Sequence, residues 1–135
     1  MFAYGEATVP KVTVTLRKSY GGAHDVMSCK QLRGDFNYAW PTAQIAVMGA
    51  KGAIEVLYGK EVAAITDPEE KAKFIAEKEE EYNSAFANPY KAASYGYIDD
   101  VIEPRNTRFR VIRAFQSLQT KRVTNPMKKH SNIPL

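Results

Sequence analysis

The chain has 135 residues, of which 44% are hydrophobic, and this length suits one domain with a core of its own. Its single cysteine, Cys29, excludes an internal disulfide and favours a reducing compartment. Two histidines far apart, His24 and His130, leave a metal site without support. No apolar run approaches the roughly 18 residues of a membrane span, and we expect no signal peptide and no membrane insertion.

The net charge of +4 hides an uneven distribution of charges. Residues 104–135 contain 8 basic side chains and no acidic ones, whereas residues 1–103 are net acidic. Such a basic segment suits nucleic acid, an acidic protein surface or a phosphorylated cofactor. Nucleic-acid binding also calls for interleaved aromatic side chains. We expect the two aromatics of the segment, Phe109 and Phe115, on the buried face of a helix, and therefore predict no nucleic-acid partner.

The first predicted elements are a strand, a glycine turn and a helix. Residues from Val12 to Arg17 alternate between apolar and polar types, which predicts a strand. Gly21 and Gly22 interrupt the alternation, and residues 23–32 then predict a helix. Such a turn leaves amides unpaired at the helix start and lets a ligand approach the backbone, an arrangement suited to binding a developing oxyanion. Most junctions of this kind nevertheless bind nothing.

Two further strands and a helix are predicted next. The strands are residues 35–40, where Pro41 ends the pattern, and residues 44–48. Gly49 then begins a helix. The inward face of this helix is expected to carry Ala50, Ile54, Leu57 and Tyr58.

The second half of the chain predicts three helices, a short strand and a tail. Residues 66–86 begin with strong capping signals, and the inward side chains of this helix are expected to be Ile75, Tyr82, Ala85 and Phe86. Residues 88–96 predict a short helix, and residues 97–102 an extended piece. Residues 107–119 predict the last helix, capped by its first threonine, with packing side chains Val111, Ile112, Phe115 and Leu118. Residues 120–135 are expected to form an extended tail.

Three other features are weaker candidates for a site. Asn37 and Trp40 could border a ligand, but a capping polar group and a packed aromatic are the favoured interpretation. The second strand–glycine–helix junction, at Gly49, is interpreted as packing. Asp99 and Asp100 are adjacent on an extended piece, so they face opposite ways and do not form a paired-carboxylate site.

Three separated motifs make the chain resemble the acyl-CoA carboxyltransferase family. They are Tyr20-Gly-Gly-Ala-His-Asp-Val-Met27, the stretch of residues 37–53 and the ending Lys128-Lys-His-Ser-Asn-Ile-Pro-Leu135. The resemblance is greatest to the C-terminal end of the propionyl-CoA carboxylase β subunits and to the methylmalonyl-CoA decarboxylase α subunits. It runs nearly from end to end.

The resemblance implies a fold and an activity. The fold is α/β, of the crotonase (ClpP/crotonase-like) type, in which β-β-α units stack into a superhelix. Members of the family are several times longer, so residues 1–135 are expected to be a fragment, the C-terminal portion of the carboxyltransferase C-domain. The family transfers a carboxyl group between carboxybiotin and propionyl-CoA or methylmalonyl-CoA. The isolated chain is expected to be inactive because the thioester site lies mainly in the missing half.

The resemblance also implies partners and a compartment. The cofactor is biotin, carried on a biotin carboxyl carrier protein or domain, and the substrate is a coenzyme A thioester. The family assembles as hexamers of facing dimers. A cytoplasmic location follows, or the mitochondrial matrix if the source is eukaryotic. Carboxylase and decarboxylase members share these motifs, so the sequence does not separate them.

Site residues follow from the matched motif. The backbone amides of Gly22 and Ala23 correspond to the pair that binds the ureido oxygen of biotin, and Gly21 completes the cofactor-binding turn. Asp25 corresponds to the position linked to acyl-group choice. His24 departs from the family, which usually has tyrosine there, and receives no catalytic role.

Two other functions remain open at this point. The chain could be a non-catalytic assembly module whose apolar faces and basic tail dock neighbouring subunits. It could also be part of a crotonase-type hydratase or isomerase. Such enzymes usually place a glutamate base beside the site, and no glutamate flanks Gly22 in the sequence.

Overall fold

The computed structural model describes residues 1–125 and 127. Within that range the helices α1 to α6 are, in chain order, Phe2–Glu6, Gly21–Val26, Ala50–Ala64, Pro68–Ala85, Pro89–Ser94 and Thr107–Ser117. The strands β1 to β5 are Val12–Thr15, Lys18–Tyr20, Phe36–Ala39, Gln44–Ala46 and Asp100–Val101. Short 3-10 helices lie at Lys30–Leu32 and Pro104–Asn106.

The strands form two small parallel sheets. One has the order β1-β3-β5, and the other pairs β2 with β4. Val12 lies opposite Phe36 in the first sheet, and Lys18 lies opposite Gln44 in the second. Each strand–strand–helix unit therefore gives one strand to each sheet. This is the mixed α/β architecture that the sequence predicts.

The strand predicted from Val12 to Arg17 is present as β1, but it is shorter than predicted. The strand β1 ends at Thr15, and β2 begins at Lys18 in the other sheet. The chain between β1 and β2 is hydrogen-bonded to the segment that joins β3 and β4. Trp40 N donates to Thr15 O at 2.9 Å, and Gln44 N donates to Arg17 O at 2.5 Å. Alternation reports which face a side chain takes, but it does not report which sheet the backbone joins.

The helix predicted over residues 23–32 is also wrong in length. The helix α2 begins at Gly21 and ends at Val26, and Ser28 has a left-handed φ of 66°. Thr13 Oγ1 donates to Ser28 O at 3.0 Å, so a tertiary bond replaces the helical one there. A separate 3-10 helix then leads into β3.

Several helix faces are more exposed than predicted. On α3, Ile54 is buried as expected, but Leu57 is 63% exposed. At the end of α4, Ala85 is exposed, and Phe86 is 51% exposed instead of facing inward. These two helices pack mainly on each other, with the Tyr58 ring edge-on to Phe74 at a centroid distance of 6.1 Å. The predicted inward positions Tyr58, Ile75 and Tyr82 are nevertheless half-buried, so the prediction fails only for Leu57, Ala85 and Phe86.

The last helix differs in the same way. Ala114 is its buried residue, whereas three apolar side chains that were expected inside are exposed: Phe109, Ile112 and Phe115. Thr107 is not the N-terminal cap, because its Oγ1 accepts a hydrogen bond from Trp40 Nε1 at 2.8 Å. The Arg110 guanidinium lies 5.3 Å from the centre of the Tyr38 ring and pairs with Asp100. This helix is thus held to the sheet by polar contacts as much as by burial.

Other predictions are confirmed. Asp67 caps α4 by accepting hydrogen bonds from two backbone amides of its first turn. Asn88 caps α5 by accepting from Lys91 N at 2.9 Å. The short helix closes before Gly96, which has a φ of 76°. The extended piece at 97–102 is present, although its paired part is limited to β5.

Part of the predicted tail is docked on the N-terminal segment. Lys121 Nζ donates to Val9 O at 3.0 Å and forms an ion pair with Asp35 at 2.7 Å. Asn125 Nδ2 donates to Glu6 O at 2.6 Å. Residues 128–135, which contain the third motif, lie outside the described residues.

Lys11 is a buried lysine between α1 and the first 3-10 helix. It is 7% exposed, and its Nζ donates to Tyr4 O at 2.6 Å and to Leu32 O at 3.3 Å. Burial lowers the pKa of Lys11 and the nearby Lys121 lowers it further, whereas Asp35 opposes the shift. A lysine in the unfolded chain keeps its proton to about pH 10.4. At pH values between the lowered pKa of the folded state and this value, the unfolded state therefore binds more protons than the folded state.

This shift gives a testable dependence of stability on pH. The difference in the free energy of unfolding between the wild type and Lys11→Met is expected to rise as the pH increases through that window. Urea unfolding of both proteins at a series of pH values from neutral up to about pH 10.4, the pKa of an unfolded lysine, measures it. A difference that stays flat, or falls, would contradict the lowered pKa.

Among the described residues, no helix is both long enough and apolar enough to pass through a bilayer.

Candidate functional site

The glycine turn between β2 and α2 is sterically fixed. Gly21 has a φ of 49°, and a Cβ atom at this position would lie 2.8 Å from Val47 O. Both facts require glycine, because other residues rarely adopt this conformation and a Cβ would collide with the neighbouring backbone. At Gly22, by contrast, a Cβ would meet no atom within 4 Å, so there is open space beside the turn.

The amides predicted to bind an oxyanion lie on this turn. Gly22 and Ala23 are both exposed and occupy the first turn of α2, where backbone amides have no intrahelical acceptor. Within the part of the chain that the structure describes, no turn, loop or cap hydrogen bond engages either amide. They are therefore available to an external acceptor.

A cleft of about 660 Å³ opens beside the turn. Gly21, Gly22, His24 and Asp25 contribute one wall, and the end of β4 contributes another. The opposite side comes from α3, α4 and the region of α5, with these residues: Leu57, Tyr82, Phe86, Lys91, Ala92, Tyr95 and Tyr97. A mostly apolar cleft of this size with a few polar groups on one wall is typical of a site for a small organic ligand.

Two side chains of α2 reach the cleft and are held by specific contacts. His24 Nδ1 lies 2.9 Å from Ser19 Oγ on β2. Asp25 Oδ1 is the acceptor for the thiol of Cys29, at 3.9 Å. Asp25 is the one carboxylate among the described residues that line the cleft, so the structure offers no glutamate base there for a hydratase or isomerase.

The weaker candidates lie elsewhere. Trp40 packs against the core and bonds to Thr107, and Asn37 is buried, with its backbone N–H donating to Asp99 Oδ2 at 2.7 Å. Neither lines the cleft. Asp99 and Asp100 bond to different partners, as their opposite directions predict. Among the described residues, no group of three or more His, Cys, Asp or Glu side chains could hold a metal ion.

Sequence reasoning missed the aromatic and basic side of the cleft. Tyr82, Tyr95 and Tyr97 line it, and the Lys91 ammonium lies 5.1 Å from the centre of the Tyr95 ring. Nothing in their spacing connects them with the glycine turn. Tyr95 and Tyr97 are brought there because α5 packs against β4, about 45 residues earlier in the chain. Tyr82 lies on α4, and its hydroxyl donates to Met48 O at 3.1 Å.

The geometry of the fold and of the cleft indicates the class of protein, and comparison with known proteins then gives its family. Parallel strands, one of which leads through a glycine turn onto the wall of an open cleft, make this an α/β protein with a candidate ligand site. The chain belongs to the carboxyl transferase domain family, whose model matches residues 1–133.

Individual relatives support that assignment. The chain is 62% identical over 135 residues to the propionyl-CoA carboxylase beta chain of Cereibacter sphaeroides, covering 100% of this chain and 25% of that one. It is 50% identical over 135 residues to the methylmalonyl-CoA decarboxylase subunit alpha of Propionigenium modestum, covering 100% of this chain and 26% of that one. The chain therefore spans about a quarter of the length of these relatives.

A solved structure gives the same result for the fold. Transcarboxylase 12S, described as a hexamer with methylmalonyl-coenzyme A and methylmalonic acid bound, superposes with a TM-score of 0.85. The match covers 99% of this chain and 25% of that chain at 51% identity. The predicted crotonase-like α/β fold and the predicted family are both confirmed.

Proposed function

We propose that this chain forms the biotin-facing part of an acyl-CoA carboxyltransferase that moves a carboxyl group between carboxybiotin and propionyl-CoA or methylmalonyl-CoA. The observation that carries the proposal is a pair of exposed residues at the start of α2: Gly22, which lines the cleft, and its neighbour Ala23. Family membership supplies the reaction class, and relatives named for both of these acyl-CoA reactions match the whole chain.

The residues present suit biotin. A cleft of about 660 Å³ has room for a fused bicyclic ring, and its apolar and aromatic side can pack on such a ring. Biotin supplies a ureido group that carries the transferred carboxyl. The amides of Gly22 and Ala23 donate to the ureido oxygen and stabilise the negative charge that develops there, and Gly21 fixes the turn that presents them.

Asp25 is proposed to select the acyl group. Asp25 lies on α2, three residues beyond Gly22, and borders the cleft. At this position a carboxylate favours some acyl substituents and repels others. Its contact with the Cys29 thiol holds it from the interior side. The carboxyl transfer itself requires no side chain of this helix to act as an acid or a base.

Partners are proposed for the same surface. Large exposed apolar side chains surround the cleft, including Val47, Leu57 and Phe86, and such patches usually contact another protein. We assign this surface to the biotin carboxyl carrier protein or domain and to a second subunit of a homo-oligomer. The compartment proposed for the assembly is the cytoplasm or the mitochondrial matrix.

The first experiment tests the division of labour. The 135-residue chain is expected to bind free biotin weakly at the turn and to transfer no carboxyl group from free carboxybiotin to propionyl-CoA. Amide chemical shifts of Gly22 and Ala23 on adding biotin measure the first part, and the appearance of label in methylmalonyl-CoA from carboxybiotin with a radiolabelled carboxyl group measures the second. Robust transfer to propionyl-CoA by the chain alone, or an unperturbed turn, would contradict the proposal.

A further inference from the structure

We propose that His24 is a specificity-determining residue of the biotin site, donating its Nε2–H to an oxygen of the ligand held at the Gly22–Ala23 turn. The inference rests on the proposed function and deepens it. It assigns to this side chain a role that the backbone amides alone do not provide, namely recognition of a ring urea by a third donor.

The ring of His24 is held at one end. Its Nδ1 lies 2.9 Å from Ser19 Oγ, a distance typical of a good hydrogen bond. We assign the Ser19 hydroxyl as the donor, so that Nδ1 accepts and the ring carries its proton on Nε2. No other described residue forms a hydrogen bond with the ring, so Nε2–H is left as an available donor.

The position of the ring fits this role. His24 lies two residues beyond Gly22, is half-buried and lines the same cleft as Gly22. A ligand oxygen bound by the Gly22 and Ala23 amides therefore has a side-chain donor nearby. Because β2 carries Ser19 and is itself paired with β4, the imidazole is oriented by a strand and not by a mobile loop.

The same contacts argue against a nucleophilic serine. Ser19 is not among the residues that line the cleft, so its hydroxyl contacts the ring and not a ligand. Asp25, the adjacent carboxylate, accepts from Cys29 instead of orienting the imidazole. Ser19 is therefore a positioning residue for His24, and His24 is the residue that contacts the ligand.

The test uses nuclear magnetic resonance of the 135-residue chain with free biotin as the probe. In the absence of ligand, the His24 ring nitrogens are expected to show the Nε2–H tautomer. Added biotin is expected to shift His24 Nε2 together with the Gly22 and Ala23 amides. His24→Phe and Ser19→Ala should each raise the Kd for biotin by roughly threefold to tenfold, the range for loss of one neutral hydrogen bond.

The matched control is Ser117→Ala, which removes a hydroxyl that donates to Ala114 O at 2.8 Å, outside the cleft. It should leave both the His24 tautomer and the Kd for biotin unchanged.

If biotin shifts the amides but not the His24 ring, and His24→Phe binds normally, the inference is wrong while the proposed function stands. The Nδ1–H tautomer would also overturn it. If biotin shifts neither group, the proposed function fails and the inference fails with it.

Discussion

Replacing Gly22 with proline is expected to lower the rate of biotin carboxylation about 10²- to 10³-fold, the usual cost of losing one oxyanion-hole donor. Proline removes the amide hydrogen while its fixed φ suits the first turn of a helix, where Gly22 lies. Binding of acyl-CoA should persist, because the proposed thioester site lies outside this turn. The measurement requires an assembled carboxyltransferase that contains this chain, with the two activities followed separately.

Gly22→Ala is the control that separates the lost donor from the changed side chain. A Cβ at Gly22 meets no atom within 4 Å, so alanine fits the backbone and keeps the amide hydrogen. It should retain most of the activity. Equal losses in Gly22→Pro and Gly22→Ala would show that space in front of the turn matters and that the donor does not.

Replacing Gly34 with alanine is expected to destabilise the chain by about 3 kcal/mol, at the upper end of the usual cost of overpacking. A Cβ there would lie 2.6 Å from Ser28 O, 2.7 Å from Asn37 Nδ2 and 2.9 Å from Cys29 O. Two of these atoms belong to the backbone, and the third belongs to a buried side chain. The surroundings therefore have little freedom to move, and the melting temperature should fall by roughly 10 °C.

Gly59→Ala is the matched control for that substitution. Gly59 lies inside α3, and a Cβ there meets nothing within 4 Å. Because alanine is the better helix former, this variant should gain about 0.5–1 kcal/mol in the free energy of unfolding. Thermal and urea unfolding of the two variants beside the wild type give the comparison. A Gly34→Ala protein as stable as the wild type would show that the segment before β3 accommodates a Cβ atom more easily than the short distances at Gly34 indicate.

Local signals predicted the parts of the fold that depend on neighbouring residues. The capping residues Asp67 and Asn88 act within one turn of backbone, so their patterns transferred directly to the structure. The glycine turn was also predictable, since the two glycines that interrupt the first alternating run place it. The family assignment came from matched motifs and not from these physical signals.

The errors came from features that no local pattern contains. Whether the first strand ends at Thr15 or runs on to Arg17 depends on hydrogen bonds from Trp40 and Gln44, more than 20 residues away. Whether Leu57 or Phe86 is buried depends on what packs against α3 and α4, and hydrophobic spacing does not supply that information. The aromatic side of the cleft was missed for the same reason, because only the packing of α5 on β4 brings Tyr95 and Tyr97 to the turn.

The α3–α4 pair has a consequence for how this protein can diversify. These helices pack mainly on each other, and they contact the rest of the protein at points such as the hydrogen bond from Tyr82 Oη to Met48 O at 3.1 Å. Substitutions in α3 and α4 therefore leave the structure of the two sheets unchanged. One side of the cleft can therefore be remodelled by mutation while the glycine turn is kept unchanged. Ligand size and reaction chemistry are in this way separately adjustable by natural selection.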